Sequence, residues 1–430
     1  MLNFFPTKNL IFFLLILFIL FSDKLTLYPK QPIVLRNADS LIGLSNENYS
    51  IRNFIGNVIF EQGEVVLRCD TAIQYIDQNR VELMGNVVIN RKDVEIRSQK
   101  IDYNGNTKTA IAHNYIQIKD SSTFIEAKSG TYNIETNVAH FQKNVKVEND
   151  TIIIYSDELI HNTDNDESVA TGNVTLFGKK KPSAIVCDSL IHKPELSFLL
   201  AYENAAFFYI DSLKRQGDLT FDTLSISAST IFGNQVRGQE FYQFLENVEI
   251  IKGSLYSKCQ KAEFFASGDS LILSGEPVVW YDSLQLFADT IVAFFPQRNL
   301  EKLQLRNNAL SISINDTTQL GRIDQISGRD IDILFEQDSI RTIISKFQAN
   351  SIYFIDGENG EQSGFQRSGA DTIYIHFQNN EVENIVWKSN PYIDFYPENI
   401  WSNNLNEYYL PRFKIRYDRP TKRVFPTKPK

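Results

Sequence analysis

The residues in this 430-residue chain whose chemistry asks for attention first are its five histidines: His113, His140, His161, His192 and His376. His161 and His192 stand 31 residues apart in one repeating column, and two imidazoles on adjacent units of a stack could begin a metal site. The other members of that column are Tyr103, Tyr132 and Phe264, poor or impossible ligands, whereas zinc takes three or four donors with a supporting outer shell. No metal is expected. Asp70, Asp157 and Asp188 recur in a second column. A ladder of Asp on a β-helix can hold calcium and a catalytic base in polysaccharide-cleaving enzymes, but here Gln99, Lys128 and Gln260 interrupt it, so a solvated outer face is expected. The sequence contains no G-x-S-x-G elbow, Walker loop or H-E-x-x-H pair. The chain therefore reads as non-enzymatic, with no catalytic residues and no cofactor.

Cys69, Cys187 and Cys259 are an odd number and too few to staple a fold of this size. They are expected as free thiols packed like small apolar groups. Forty-three basic against fifty-two acidic residues give a net charge of −9, which disfavours nucleic acid because its binding is dominated by cationic contact with phosphate. Hydrophobic residues make up 43% of the chain, and 31 Phe and 19 Tyr stand against two Met. That balance suits pleated sheets with a sizeable core, and an all-β fold is expected.

The elements that must position these residues show in a repeat. Gly56-Asn57-Val58, Gly85-Asn86-Val87, Lys143-Asn144-Val145 and Gly172-Asn173-Val174 place their asparagines 29, 58 and 29 residues apart. Tyr115 fills the missing slot. One column then reads Val58, Val87, Ile116, Val145 and Val174, and another, two residues on, reads Phe60, Ile89, Ile118, Val147 and Leu176. A third holds Leu67, Ile96, Ile125, Ile154 and Ile185, and beside it runs a small column of Cys69, Ser98, Ala127, Ser156 and Cys187. Offsets of two are the strand period. The pattern returns at Asn247 and Gly275, with Cys259 and Ala288 again 29 apart.

Each 29-residue unit thus holds two extended runs. Stacking unit on unit, with each strand bonded to its counterpart ~4.8 Å away, predicts a prism of roughly 40 Å for eight units. The three large apolar columns, from Val58 to Ile185, are the candidate site: they form either the filled core of a closed β-solenoid or an apolar groove able to hold acyl chains. Periodicity leaves both readings standing.

The repeated Gly-Asn-Val strand is followed about ten residues later by a strand that ends in Tyr103, Tyr132, His161 or His192. This resembles the OstA, or organic-solvent-tolerance, family, which includes the LptA-like periplasmic proteins of lipopolysaccharide transport. The resemblance implies an open β-jellyroll that carries lipopolysaccharide or a related glycolipid, acyl chains inside, and joins other Lpt-type jellyrolls by edge-strand addition. It also implies a periplasmic place. The expected layout is a signal peptide or N-terminal anchor at 1–22, one array at 35–205, an irregular insertion at 206–243, a degenerate second array at 244–390, and an aromatic and basic tail at 391–430. Within the first segment, the apolar run Leu10–Phe21 reaches only ~18 Å, short of the ~30 Å hydrocarbon core, so it reads as a secretory signal. The tail, with its many Lys and Arg residues, is expected to be solvated and mobile, with anionic lipid phosphate or an acidic partner as the second reading.

Overall fold

The computed structural model describes residues 31–427 apart from 47–48, 181, 216–217, 237–238, 266–268, 297–298, 315–320, 357–361, 380 and 402–407. The segment 1–22, read above as a signal or anchor, lies outside the described residues. Among those described, no helix is long and apolar enough to cross a membrane. The fold is all-β, a β-jellyroll of stacked repeats in which, among the described residues, 28 strands join into one sheet.

Strands pair antiparallel, the long ones each with its successor in the chain. Alternation drives this: along Val65–Tyr75, inward residues are buried and their neighbours are not, as a half-buried strand requires. What turns a flat meander into a jellyroll is the Gly-Asn pair. Tyr49–Gln62 pairs with Val65–Tyr75 at Ile55 with Thr71 and then at Val58 with Cys69. Gly56 and Asn57 therefore oppose Asp70 alone, which is a β-bulge, and a bulge bends its strand. Both residues have positive φ, +80° and +48°, a region that Gly enters freely and Asn at small cost. The same bend recurs at Gly85-Asn86, Lys143-Asn144 and Gly172-Asn173. It divides each long strand between two walls, wall A holding Val58 and Phe60, wall B holding Phe54 and Ala72.

Asp70, Asp157 and Asp188 are exposed, as a solvated outer face requires, and each also belongs to this bend. Asn86 Nδ2 donates to Asp70 Oδ2 at 2.9 Å, Asn173 to Asp157 at 2.7 Å, and Asn204 to Asp188 at 2.6 Å. A Cβ on Gly85 would sit 2.5 Å from the Asp70 carboxylate, so glycine is needed for space as well as for φ.

Successive strands, not successive units, are neighbours in the sheet. One 29-residue unit therefore advances ~9.6 Å, two strand spacings, and the expected single-rung step was half the true one. The same fact fuses two of the predicted columns. Phe60, Leu67, Ile89, Ile96, Ile118, Ile125, Val147, Ile154, Leu176 and Ile185 stand side by side in one unbroken row along wall A. Beside it, Val58, Val87, Ile116, Val145 and Val174 pair with Cys69, Ser98, Ala127, Ser156 and Cys187, so large and small alternate in a second row.

The segment 206–243 is not irregular. Phe198–Arg215 and Asp218–Val236 are two long strands, paired from Leu199 with Gly233 to Arg215 with Asp218. They continue the meander, and the two expected arrays are one sheet. Long strands carry the 29-residue spacing off register, which is why the repeat appears broken there.

The tail also departs from expectation. After the strand Tyr392–Pro397 and one helical turn, Glu398–Trp401, the chain from Leu410 onwards lies across the outer face of wall A. Leu410 N donates to Gln325 Oε1 at 2.9 Å. Arg419 lies over the Tyr256 ring, and Asp418 bridges Arg416 at 2.7 Å and Lys258 at 3.3 Å. The Arg416 hydrogen bond outweighs partial burial and holds the Asp418 carboxyl far below the usual carboxylate range. Phe425 ends the strap against Phe177 and Phe208. Outward-facing apolar residues on the sheet are what the tail covers, so burial holds it down.

Cys69, Cys187 and Cys259 are free and buried. Burial pushes their thiols up to about 11, 12 and 12, which makes them inert packing groups.

Candidate functional site

All fifteen residues of the predicted apolar columns face the interior, and each is at most 6% exposed. They belong to one continuous core cluster that joins the two walls. From Val58 to Ile154 these side chains are at most 4% exposed and pack within that one cluster, so this part of the interior is filled. Leu176 and Ile185, at the end of the row, are different: they line a cavity of about 500 Å³.

The seam where the walls' free tips meet explains the difference. Gln62, on a wall A tip, donates to Gly105 O on a wall B tip at 2.7 Å and accepts from Tyr103 OH at 2.6 Å. Arg91 crosses to Asn137 Oδ1 at 2.8 Å and also donates to Ile134 O. Thr123 Oγ1 donates to Asp166 Oδ1 at 2.9 Å. Farther along, the Lys252 ammonium lies 5.6 Å from the Phe295 ring, and Tyr281 OH donates to Asp338 O at 2.5 Å. Between these two sets of latches lies the cavity, with Lys180 and Ser183 on one tip and Ser197, Asn234 and Glu240 on the other.

Wall B shows why space opens there. Its row nearest the seam runs Val81, Tyr103, Ala110, Tyr132, Ala139, His161, Ser168, His192, Leu199, Gly233, Tyr242, Phe264. Every second strand from Tyr103 onwards contributes a ring, until Gly233 contributes none. Tyr103, Tyr132 and His161 are sealed at 0–1% exposure, while His192, Leu199 and Tyr242 around the gap are only half-buried. The cavity is the volume of that missing ring, enlarged by the wall A residues across from it. Phe207 reaches over from wall A to Tyr242 and Phe264, with ring centroids 4.8 and 6.2 Å away, and closes the far side.

Electrostatics keep the floor neutral. Burial lowers the His192 pKa, so its imidazole is uncharged at neutral pH. The Tyr242 phenol is pushed far up by burial and by Glu240 and stays protonated. His161, one step away from the cavity in the same row, is brought down to about 4, chiefly by burial. Its Nδ1 meets Ser168 Oγ at 3.0 Å, and its Nε2 has no hydrogen-bond partner. His161 and His192 lie in the same row, two strands apart, with Ser168 between them. Among the described residues no cluster of three His, Cys, Asp or Glu side chains could hold a metal ion.

Gly233, Leu199, Phe207 and Tyr242 are cavity residues that the sequence pattern missed. Gly233 falls 41 residues after His192, where the 29-residue step fails, so no column assigned it. The usable signal was the aromatic column itself, which resumes at Phe264 with one member absent.

A comparison with curated proteins finds no match. Among solved structures, the chain is similar to LptH, the LptA homologous periplasmic component of the conserved lipopolysaccharide transport device from Pseudomonas aeruginosa. The identity is 16% and the TM-score 0.25, over 33% of this chain and 93% of that one. The family model described as OstA-like protein matches residues 30–126. That stretch contains three of the asparagine-slot units and the wall A residues of the first three seam latches, Gln62, Arg91 and Thr123, and it is over these residues that the chain is similar to the OstA-like family.

Proposed function

We propose that this chain is a non-enzymatic periplasmic lipid handler in the transport of lipopolysaccharide or a related glycolipid, and that acyl chains enter at the cavity around Gly233. The observation that carries this reading is the coincidence of the unfilled ring position with the stretch between the two sets of seam latches. Transfer there needs no covalent step, because each methylene buried stabilises the complex by about 0.8 kcal/mol. The OstA-like segment supports the same cargo class.

Coupling to other Lpt-type jellyrolls would use the sheet's end strands. Ser40–Asn46 and Val34–Asn37 lie at one end, and Glu381–Lys388 and Tyr392–Pro397 at the other. The latter two leave Val382, Val386, Ile393 and Phe395 exposed. Unpaired backbone at such edges accepts another strand.

The filled interior between Val58 and Ile154 favours a second reading for that half of the molecule, a closed structural solenoid. The two are separated by photo-crosslinking in living cells. Crosslinkers at Leu199 and Tyr242 are expected to capture lipid, and those at Ile89 and Ile118 to capture none. Absence of lipid at all four positions would leave the structural reading in possession.

A further inference from the structure

The cavity's size and rim identify what it can hold. We infer that it takes one acyl chain at a time, from an amphiphile whose anionic group is received by Lys180. This deepens the lipid-handling proposal and rests on it only for the cellular source of the ligand.

Size sets the number of chains. At roughly 30 Å³ per heavy atom, the share a water molecule has in the liquid, the cavity of about 500 Å³ accommodates ~16 carbons. A multi-chain lipid cannot fit whole. Nor can the chain run on along the interior, because both directions are blocked. Towards lower residue numbers stand sealed Ile154 and His161, each at most 1% exposed, and the Thr123–Asp166 latch. Towards higher numbers Phe207 meets Phe244 and Phe264 with centroids 5.8 and 6.2 Å apart, and Lys252 covers Phe295. The remaining way in is the seam, between the tips that carry Lys180 and Ser197.

Charge sets the headgroup. Lys179, next to the rim, is committed to Glu148 at 3.0 Å, and Lys193 to Glu167 at 3.1 Å. Glu240, on the opposite tip, is itself partnered. Lys180 is exposed and forms no ion pair among the described residues, so its ammonium is available to a carboxylate or phosphate at the seam. The neutral His192 and Tyr242 below it leave an apolar floor. One anion above one hydrocarbon chain is the shared chemistry of a free fatty acid and of a single chain of a larger glycolipid, and the experiment separates those sources.

Purified chain is titrated with hexadecanoate, hexadecanol and hexadecyltrimethylammonium, and stoichiometry is read by native mass spectrometry. One hexadecanoate per chain is expected. K180E should weaken hexadecanoate about 10-fold and leave hexadecanol unchanged. G233L, whose Cβ would meet Tyr242 Cε1 at 3.2 Å and Leu199 Cβ at 3.3 Å, should fill the space and remove binding of both. L199W is the second filling variant should G233L fail to fold, and thermal melting reports which of them does. Two or more chains bound, equal affinity for the cationic amphiphile, or binding that survives a folded filling variant overturns the inference. Purified lipopolysaccharide added to the same protein distinguishes the sources: competition with hexadecanoate assigns the site to one of its chains, and no competition assigns it to a free single-chain lipid. Lipid captured at Leu199 in cells alongside a stoichiometry above one would sink this inference and spare the carrier reading. A single bound hexadecanoate with no lipid captured in cells would do the reverse.

Discussion

Gln285 grips the backbone of Arg416 from both sides: its Nε2 donates to Arg416 O at 2.9 Å, and Arg416 N donates to its Oε1 at 2.8 Å. The two residues are 131 positions apart, and the amide behaves as a strand edge would, pairing with a tail that has no strand partner. Trp280 Nε1 adds a longer bond of 3.4 Å to the same carbonyl. Because Gln285 is 5% exposed, losing its amide leaves two backbone groups without partners. Q285A is expected to cost about 1–3 kcal/mol and to make the chain after Leu410 sensitive to protease. The checks are urea denaturation and limited proteolysis, and an intact tail in the variant would show that the other contacts, Leu410 with Gln325, Arg419 on Tyr256 and Phe425 on Phe177, hold the strap without Gln285.

The corner predicts a steep cost for a small change. G85A forces a side chain into positive φ and against Asp70, and a loss of about 1–3 kcal/mol is expected. D70A removes the hydrogen bond from Asn86 without changing either positive-φ residue and should cost about 1 kcal/mol. Midpoints of urea unfolding separate the two, and equal losses would mean that the backbone conformation contributes nothing beyond the bond.

Seam latches should be individually weak and local in effect. R91A removes two cross-wall bonds and T123A one, each bond worth about 1 kcal/mol, and both are expected to speed amide exchange in Arg80–Arg91 and Val138–Glu148, the strands whose tips they join or adjoin. Exchange in Lys302–Ser313, far along the stack, is the internal control. Uniform protection in all three strands would mean that packing alone shuts the seam.

His161 gives the fold a pH response of defined sign. Its folded pKa is lowered to about 4 by burial, below the ordinary value near 6.5. Unfolded chains therefore bind the proton first, and stability falls as pH drops from about 6.5 and levels off below the folded pKa, by up to about 3 kcal/mol. H161F should flatten this window while H192F, at the half-open cavity, flattens it less. A pH–stability profile unchanged by H161F would mean that another group carries the slope.

A packing contrast tests the filled and unfilled parts of the interior. I89A opens a hole in a sealed row and is expected to cost about 2–5 kcal/mol. L199A enlarges an existing space already reached by solvent and should cost about 1 kcal/mol. Similar losses at the two positions would show that the region around Gly233 is as tightly packed as the rest.

Much of this architecture was legible in the residues. Alternation at period two named the inward face correctly, and every one of the columns from Val58 to Ile185 proved to be interior. Gly56-Asn57 and its repeats marked the bends, because positive φ restricts residue choice wherever it occurs. Residues 206–243 misled because strands of 18 and 19 residues break a count based on 29. The tail misled because its charges suggest solvent, while its attachment depends on Gln325, Gln285 and Tyr256, which are remote in sequence.

By itself the amino-acid order determined strand, bend and apolar side, since these depend on local sterics and on which face of a pleat repels water. Tertiary structure alone decided that two columns fuse into one row, that the walls close on each other over most of their length, and that a gap remains at Gly233. Those outcomes depend on the distance between walls and on what stands opposite each side chain. A missing ring becomes a cavity only when nothing across the interior fills its place.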